Sequence, residues 1–422
     1  MPSNIRILMA QKYVRTIAIV CVLLLLFVWI SDLSTLRNQN ADTTGVWLRS
    51  ASVLRDISSA STSLTKEIEW CDENDISHQL TADIVLSKSF SAAGSNYISP
   101  YYLKAHNEVL AQDITITTLV TRDRIPNLAR LAARYKGPIS ATVHIPDDDE
   151  GRETVKLLNE AFASHPEMRQ YVDIHLVRNR LDRQLNMWRN VAKLFARSDY
   201  IMMLDIDFYP CTNFRQSILS NPSALDLLRS GQSALVIPAF EYTKQDDGLD
   251  WRTFPTNKSS LVSLFKAGNV GMFHSFWVLG HGPTDYDKWI SSDDLYEVTT
   301  YQKSYEPYIV VRKDHPSWCD ERFVGYGSNK AACLYELYIS GVDYYVLPHD
   351  FIIHQTHAYP DRIRDAERKY NRRLYNTFRE EICVRYARQF IAEGAWESPK
   401  AMNLKEECPK VPKFRSTMRN FV

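Results

Sequence analysis

Tyr200-Ile201-Met202-Met203-Leu204-Asp205-Ile206-Asp207 is the stretch on which the reading of the fold turns. Its mostly apolar residues run directly into two carboxylates, the pattern of a buried parallel strand that reaches the edge of its sheet, where open α/β sheets bind their ligands. Residues two apart in a strand point the same way, so Asp205 and Asp207 are expected to face one site. Two acids after an apolar strand are costly to bury without a cation or hydrogen-bond donors. A divalent cation and a diphosphate would account for both. The spacing itself carries little weight, because Asp147 with Asp149 and Asp285 with Asp287 repeat it. Those two pairs read as a solvated turn and a surface loop.

Upstream of this stretch, short apolar runs alternate with helical ones. Ile114 to Val120, Ile125 to Tyr135, Ile139 to Ile145, Glu153 to Ala163 and Val172 to Val177 give a βαβαβ rhythm, and hence an α/β domain. A further helix is expected from Leu181 to Ala196, where Leu181, Leu185, Trp188, Ala192 and Phe195 make one apolar face. Downstream the pattern loosens into an apolar run at Ala234 to Phe240, a Gly- and aromatic-rich stretch from Gly268 to Trp289, and a strand at Tyr344 to Leu347. A basic helix at 361 to 390 closes the domain, which is taken as 114–395 with 396–422 as a C-terminal tail.

The 422 residues are 45% apolar, enough for a substantial core, and fifty basic residues balance fifty acidic ones. No basic stripe stands out, so no nucleic-acid partner is expected. Near the N-terminus, Arg6, Lys12 and Arg15 precede an uncharged run, residues 16–31, and Asp32 follows it. The run is short for a span, but charge on its N-terminal side predicts a signal anchor with a cytosolic tail at 1–15 and the remainder in the lumen. A cleaved signal peptide is the competing reading, and Trp29-Ile30-Ser31-Asp32 offers no small-residue cleavage site. Residues 32–113, rich in Ser, Thr and Asn, read as a stem whose end can pack on the domain. Six luminal cysteines, Cys71, Cys211, Cys319, Cys333, Cys383 and Cys408, permit up to three disulfides. Cys383 with Cys408 is one candidate pair.

His354 follows Phe351-Ile352-Ile353, another apolar run expected to end at the sheet edge. A lone histidine there is usually structural; two converging carboxylates make it a metal candidate, and such a donor set favours manganese over magnesium. His357 is a second choice, ahead of His349.

These positions belong to a longer likeness. Arg124-Ile125-Pro126-Asn127-Leu128, Tyr135 to Ser140, Trp188-Arg189-Asn190-Val191-Ala192, Leu204 to Phe208, Val236 to Glu241, His281 to Tyr286, Tyr305-Glu306-Pro307-Tyr308, Asp320 to Lys330, Val346-Leu347-Pro348 and Ile353-His354 follow in order over roughly residues 114 to 358. In this series the chain resembles glycosyltransferase family 49, the LARGE-type xylosyl/glucuronyltransferases and the related β-1,4-glucuronyltransferase. The resemblance implies a GT-A fold, a Rossmann-like nucleotide-diphospho-sugar transferase domain with a mixed central sheet. It also implies a UDP-sugar donor, a glycan or glycoprotein acceptor, inversion at the anomeric carbon, Mn2+ or another divalent cation, and type II anchoring in the Golgi membrane. His354 then joins Asp205 and Asp207 as third metal ligand, with Asp207 the most direct and Asp205 sharing the ion or holding the ribose. The length allows one catalytic domain rather than the two of the bifunctional animal enzymes.

An inverting transferase needs a carboxylate base for the acceptor hydroxyl, and Asp320 and Glu321 are the candidates. Either can instead cap the chain or pair with Arg322. Arg189 and Asn190, on the helix before the metal strand, are expected to reach the nucleotide. Lys330, at the start of a helix from Asn329 to Ile339, is a donor-binding candidate and, with Arg322, a partner for a sugar carboxylate. Tyr286, Trp289 and Tyr308 are aromatic candidates for the acceptor side, with core packing as the competing use. A non-catalytic scaffold or carbohydrate-binding protein that keeps the fold is the alternative function.

Overall fold

The computed structural model describes residues 67–71, 77–81, 89–90, 98–357 and 364–419. The expected tail, anchor and most of the stem lie outside them. No helix among the described residues is long and apolar enough to cross a membrane.

β1 (Glu67–Cys71) and β2 (Ser77–Thr81) form an antiparallel pair. Four parallel strands then make the heart of the main sheet: β4 (Ile114–Val120), β5 (Ile139–Ile145), β6 (Val172–Arg178) and β7 (Tyr200–Met203), preceded in the chain by β3 (Ile98–Leu103). They are buried along almost their whole length, including Thr115, Ser140, Thr142, Asp173 and His175, because helices cover the sheet, among them Ile125–Tyr135, Asp149–Ser164 and Leu185–Phe195. Pro126 opens the first of these helices and Lys136, in the left-handed region, ends it, while Ile125, Leu128, Ala129, Ala132 and Tyr135 bury one face. Asp148 caps the second through the Gly151 N–H at 3.0 Å, so the acidic run at 147–149 starts a helix rather than a plain turn. The third begins at Leu185 rather than Leu181, because residues 179–184 form a loop after β6 in which Leu181 is exposed.

Beyond β7 the chain adds β8 (Phe208–Pro210), β9 (Ser233–Ile237), β10 (Ala239–Tyr242), β11 (Val270–Met272), β12 (Tyr296–Glu297), β13 (Tyr308–Arg312), β14 (Asp343–Val346) and β15 (Ile352–His354). The main sheet runs β12-β14-β9-β13-β7-β4-β5-β6-β3, with antiparallel pairings at β12, β13 and β3, so the central sheet is mixed. A second sheet runs β11-β10-β15-β8. The chain passes from the large sheet to the small one at β7/β8, at β9/β10 and between β14 and β15. The single apolar run read at Ala234 to Phe240 is therefore two strands, parted at Pro238, which cannot donate to a ladder.

Two boundaries differ from the sequence reading. β3, at 98–103 in the expected stem, is an edge strand of the main sheet, fixed by side chains as well as by its ladder. Tyr101 N–H donates to His175 Nδ1 at 2.9 Å and Ala105 N–H to Asp173 Oδ1 at 2.9 Å. The expected C-terminal tail is also packed. Short helices at 399–418 lie against helix Asn329–Ile339, where Asn403 Nδ2 donates to the carbonyls of Tyr338 and Val342 at 3.2 Å. A disulfide joins Cys408 to Cys383 of helix Arg364–Ala392, and a second joins Cys319 to Cys333. Cys211 is a buried free thiol.

Candidate functional site

Strand β7 stops at Met203, and the next residues turn, with Phe208 N–H donating to the Asp205 carbonyl at 3.1 Å. Strand alternation therefore does not apply to Asp205 and Asp207. The turn sends their carboxylates to different neighbours. Asp207, His354 and His357 offer ligand atoms within 4.8 Å of one another. Asp205 is not in that group; His357 takes the place expected for it.

Asp207 faces helix Ile125–Tyr135. Arg124 Nε stands 2.6 Å from its Oδ1 and Asn127 Nδ2 donates to the same oxygen at 3.0 Å, while His357 Nε2 is 3.2 Å from Oδ2. Burial pushes the Asp207 carboxyl up, but His357, Arg124 and His354 together hold it below the usual range. His354 ends β15, in register with Phe208 of β8 and Glu241 of β10. Burial pushes its imidazole down to about 4, against the pull of Asp207, so the ring is neutral at pH 7 and in the form that ligates metals. One carboxylate and two imidazoles converging within 4.8 Å fit Mn2+ or another first-row divalent cation.

Asp205 is gripped from the other side. Tyr308 Oη donates to its Oδ2 at 2.8 Å, Lys330 Nζ stands 3.3 Å from the same oxygen, and Arg189 Nη2 stands 3.4 Å from Oδ1. Burial favours its neutral form, but Lys330, Arg189 and the Tyr308 hydroxyl outweigh that and hold it anionic. Lys330 is itself buried, 3.2 Å from the centre of the Tyr308 ring. Glu306, just before β13, carries a second carboxyl into this charged group. Burial raises its pKa against the pull of Lys330 and Arg189, and the Ala331 N–H in the first turn of helix Asn329–Ile339 donates to it.

Helix Leu185–Phe195 supplies Asn186, Arg189 and Asn190 at the three- and four-residue spacing of one face. Arg189 Nη1 donates to Asn186 Oδ1 at 2.9 Å and to Asn329 Oδ1 at 2.8 Å, while Arg189 Nε is buried without a hydrogen-bond partner among the described residues. Asn190 turns toward the segment at 319–321. Its side chain bonds the Cys319 N–H at 3.0 Å, the Cys319 carbonyl at 2.8 Å and Glu321 Oε1 at 3.1 Å. It holds the turn that carries Asp320 and Glu321. Asp320 gives both carboxylate oxygens to Arg322 Nε, at 3.1 and 3.0 Å, and Arg322 also reaches Glu381. Arg322 is thereby committed, whereas Lys330 stands with Arg189 beside Asp205. Of the aromatic candidates, Tyr286 and Trp289 are core residues, and Tyr308 spends its hydroxyl on Asp205.

Sequence reasoning ranked His357 too low and did not single out Arg124, Asn127 or Glu306. Arg124 and Asn127 had a positional signal, since they open the helix that follows the carboxyl end of β4, the customary ligand edge. Glu306 had none beyond its place in Tyr305-Glu306-Pro307-Tyr308.

The model of a family described as glycosyl-transferase for dystroglycan matches residues 113–183 and 177–387. The human xylosyl- and glucuronyltransferase LARGE1 is 30% identical over 337 residues, covering 78% of this chain and 42% of that protein. The chicken xylosyl- and glucuronyltransferase LARGE2s is 34% identical over 250 residues, covering 58% and 32%. The chain thus spans less than half the length of these relatives. The crystal structure of GalNAc-T7 with UDP, GalNAc and Mn2+ overlaps with a TM-score of 0.37 at 10% identity, over 58% of this chain and 44% of that one. With the family match extending from Asp113 into helix Arg364–Ala392, the chain belongs to glycosyltransferase family 49.

Proposed function

We propose that the chain is a GT-A-type, metal-dependent transferase that moves xylose or glucuronic acid from a UDP-sugar to a hydroxyl of a glycan or glycoprotein, with inversion, in the Golgi lumen. Family membership supports the reaction class, and the names of the relatives support the two sugars. The observation that carries the reading is the convergence of Asp207, His354 and His357 at the sheet edge beside an anionic Asp205. The anchor at 16–31 and the luminal address rest on the sequence pattern alone.

Asp207, His354 and His357 would hold the cation, which when bound supplies Lewis-acid stabilisation of charge on a diphosphate. The rest of the work falls to side chains already in place. Lys330 and Arg189 put two positive charges beside Asp205 and are suited to bind and orient an anionic donor. Tyr308 fixes the Asp205 carboxylate, which is suited to a donor hydroxyl. Asp320 is held by Arg322, and Glu321 accepts from the amide of Asn190. Asp320 and Glu321 are the two candidates for the acceptor-activating base.

The test is metal-dependent UDP release by the full chain in detergent, from UDP-xylose and UDP-glucuronic acid, with a glycan acceptor. Asp207→Asn and His357→Ala are expected to lose Mn2+ binding in equilibrium dialysis, and Asp205→Asn to keep it while losing donor turnover. Equal Mn2+ affinity in the parent and His357→Ala would defeat the assignment of the cation site.

A further inference from the structure

The largest run of exposed apolar side chains among the described residues begins at the candidate site. Phe276, Trp277, Val278 and Leu279 are consecutive, and 83%, 50%, 60% and 47% exposed. Monomers seldom leave such a patch uncovered without a use for it. A continuous run of rings leads to it from the cation site: His354 to Phe273 at 4.9 Å, Phe273 to His274 at 3.9 Å, and His274 to Phe276 at 5.2 Å between centroids.

The turn that presents the patch is anchored to the same ladder as the candidate ligand. His274 lies in the left-handed region at φ 53°, uncommon for a non-glycine residue. Its N–H donates to Glu241 Oε1 at 2.8 Å, and Glu241 is the ladder partner of His354. At the far end of the patch, the Gly280 carbonyl accepts the Glu306 N–H at 2.8 Å. Both ends of the segment are thus tied to residues of the site. The charges of Lys330, Asp205 and Arg368 all reach His274, so the foot of the patch is polar and ionic while its tip is aromatic.

We infer that Phe276 and Trp277 form the acceptor platform, on which the apolar face of a sugar ring of the glycan stacks while its hydroxyl and carboxylate groups meet the charges at the foot. The combination of exposed rings and adjacent charged groups matches the two-sided chemistry of a pyranose. A bilayer is the poorer occupant, because residues 267–287 contain no lysine or arginine, whereas segments that lie in a membrane surface are rich in them. This inference deepens the proposed function and rests on it for the identity of the site.

The experiment uses the full chain in detergent, immobilised, with UDP and Mn2+ present, against a panel of xylose- and glucuronic-acid-terminated oligosaccharides. Removing both stacking rings in the Phe276→Ser/Trp277→Ser variant is expected to weaken oligosaccharide binding about tenfold or more. Trp277→Phe should retain most of it. Unchanged binding in the double variant overturns the platform, and so does a parent chain that binds no member of the panel. Loss of co-sedimentation with phosphatidylserine/phosphatidylcholine vesicles, with oligosaccharide binding intact, reassigns the patch to a membrane. Failure of the parent to bind UDP with Mn2+, alongside Phe276-dependent oligosaccharide binding, removes the donor reading and leaves the platform standing.

Discussion

Acidification should destabilise the main sheet through His175. This residue is fully buried, and both ring nitrogens have partners. Tyr101 N–H donates to Nδ1 at 2.9 Å, so Nδ1 carries no proton. Ser140 Oγ donates to the Ala192 carbonyl at 2.7 Å, which leaves its oxygen to accept from Nε2–H at 3.0 Å. The neutral ring is therefore satisfied at both nitrogens, and a second proton would set two donors against each other. Burial, with help from Arg197, pushes the native pKa down to about 3, against about 6.5 in the unfolded chain. Between these values the unfolded chain binds a proton that the native one refuses, so stability declines as the pH is lowered. Relative to pH 7.5, the loss from this residue is about 2 kcal/mol at pH 5 and grows by about 1.4 kcal/mol per unit down to pH 3. Urea denaturation of the parent and of His175→Asn, which keeps an acceptor for Tyr101, measures it as a difference between the two pH dependences. The variant is expected to be weaker at pH 7.5 but to lose about 2 kcal/mol less on going to pH 5. Parallel pH dependences would refute the reasoning.

Three further outcomes are expected. Tyr308→Phe removes the 2.8 Å hydroxyl bond to Asp205, a charged hydrogen bond of about 1.5–3 kcal/mol, and urea denaturation should show a loss in that range. Gly325→Ala should cost more than Gly268→Ala in thermal unfolding: both glycines have positive φ, but only at Gly325 would the added methyl meet a neighbour, the Glu367 carboxylate at 2.4 Å. Replacing Cys383 and Cys408 by Ala opens a loop of 25 residues and should lower stability by about 3.5 kcal/mol, read from urea midpoints of the oxidised parent and the variant.

The parallel core was legible because apolar residues recur at every second position, as in Ile139, Ala141, Val143 and Ile145 of β5 and Val172, Ile174 and Leu176 of β6. Helix Asn329–Ile339 was legible from its mostly apolar residues. β3 was not, since an edge strand written Ile98-Ser99-Pro100-Tyr101-Tyr102-Leu103 buries little and tolerates a proline. At the site, the strand leading to Asp205 was placed correctly, but the direction of each carboxylate depended on a turn that no periodicity encodes. The role of His357 depended on where a loop after β15 runs. The contacts of Asn190 were not legible, because its partners, Cys319 and Glu321, are distant in sequence and meet it only in the fold.

The Cys319–Cys333 bond has a consequence for anyone producing the protein. It closes a ring of chain that contains Asp320, Glu321 and the glycine turn, pinned at one end by Asn190 and at the other by a buried helix. A reducing host would deliver the same polypeptide with that ring open, indistinguishable by sequence or on a reducing gel. Batches from oxidising and reducing hosts would then differ in how firmly Asp320 and Glu321 are presented, and specific activity would follow the thiol count of the preparation.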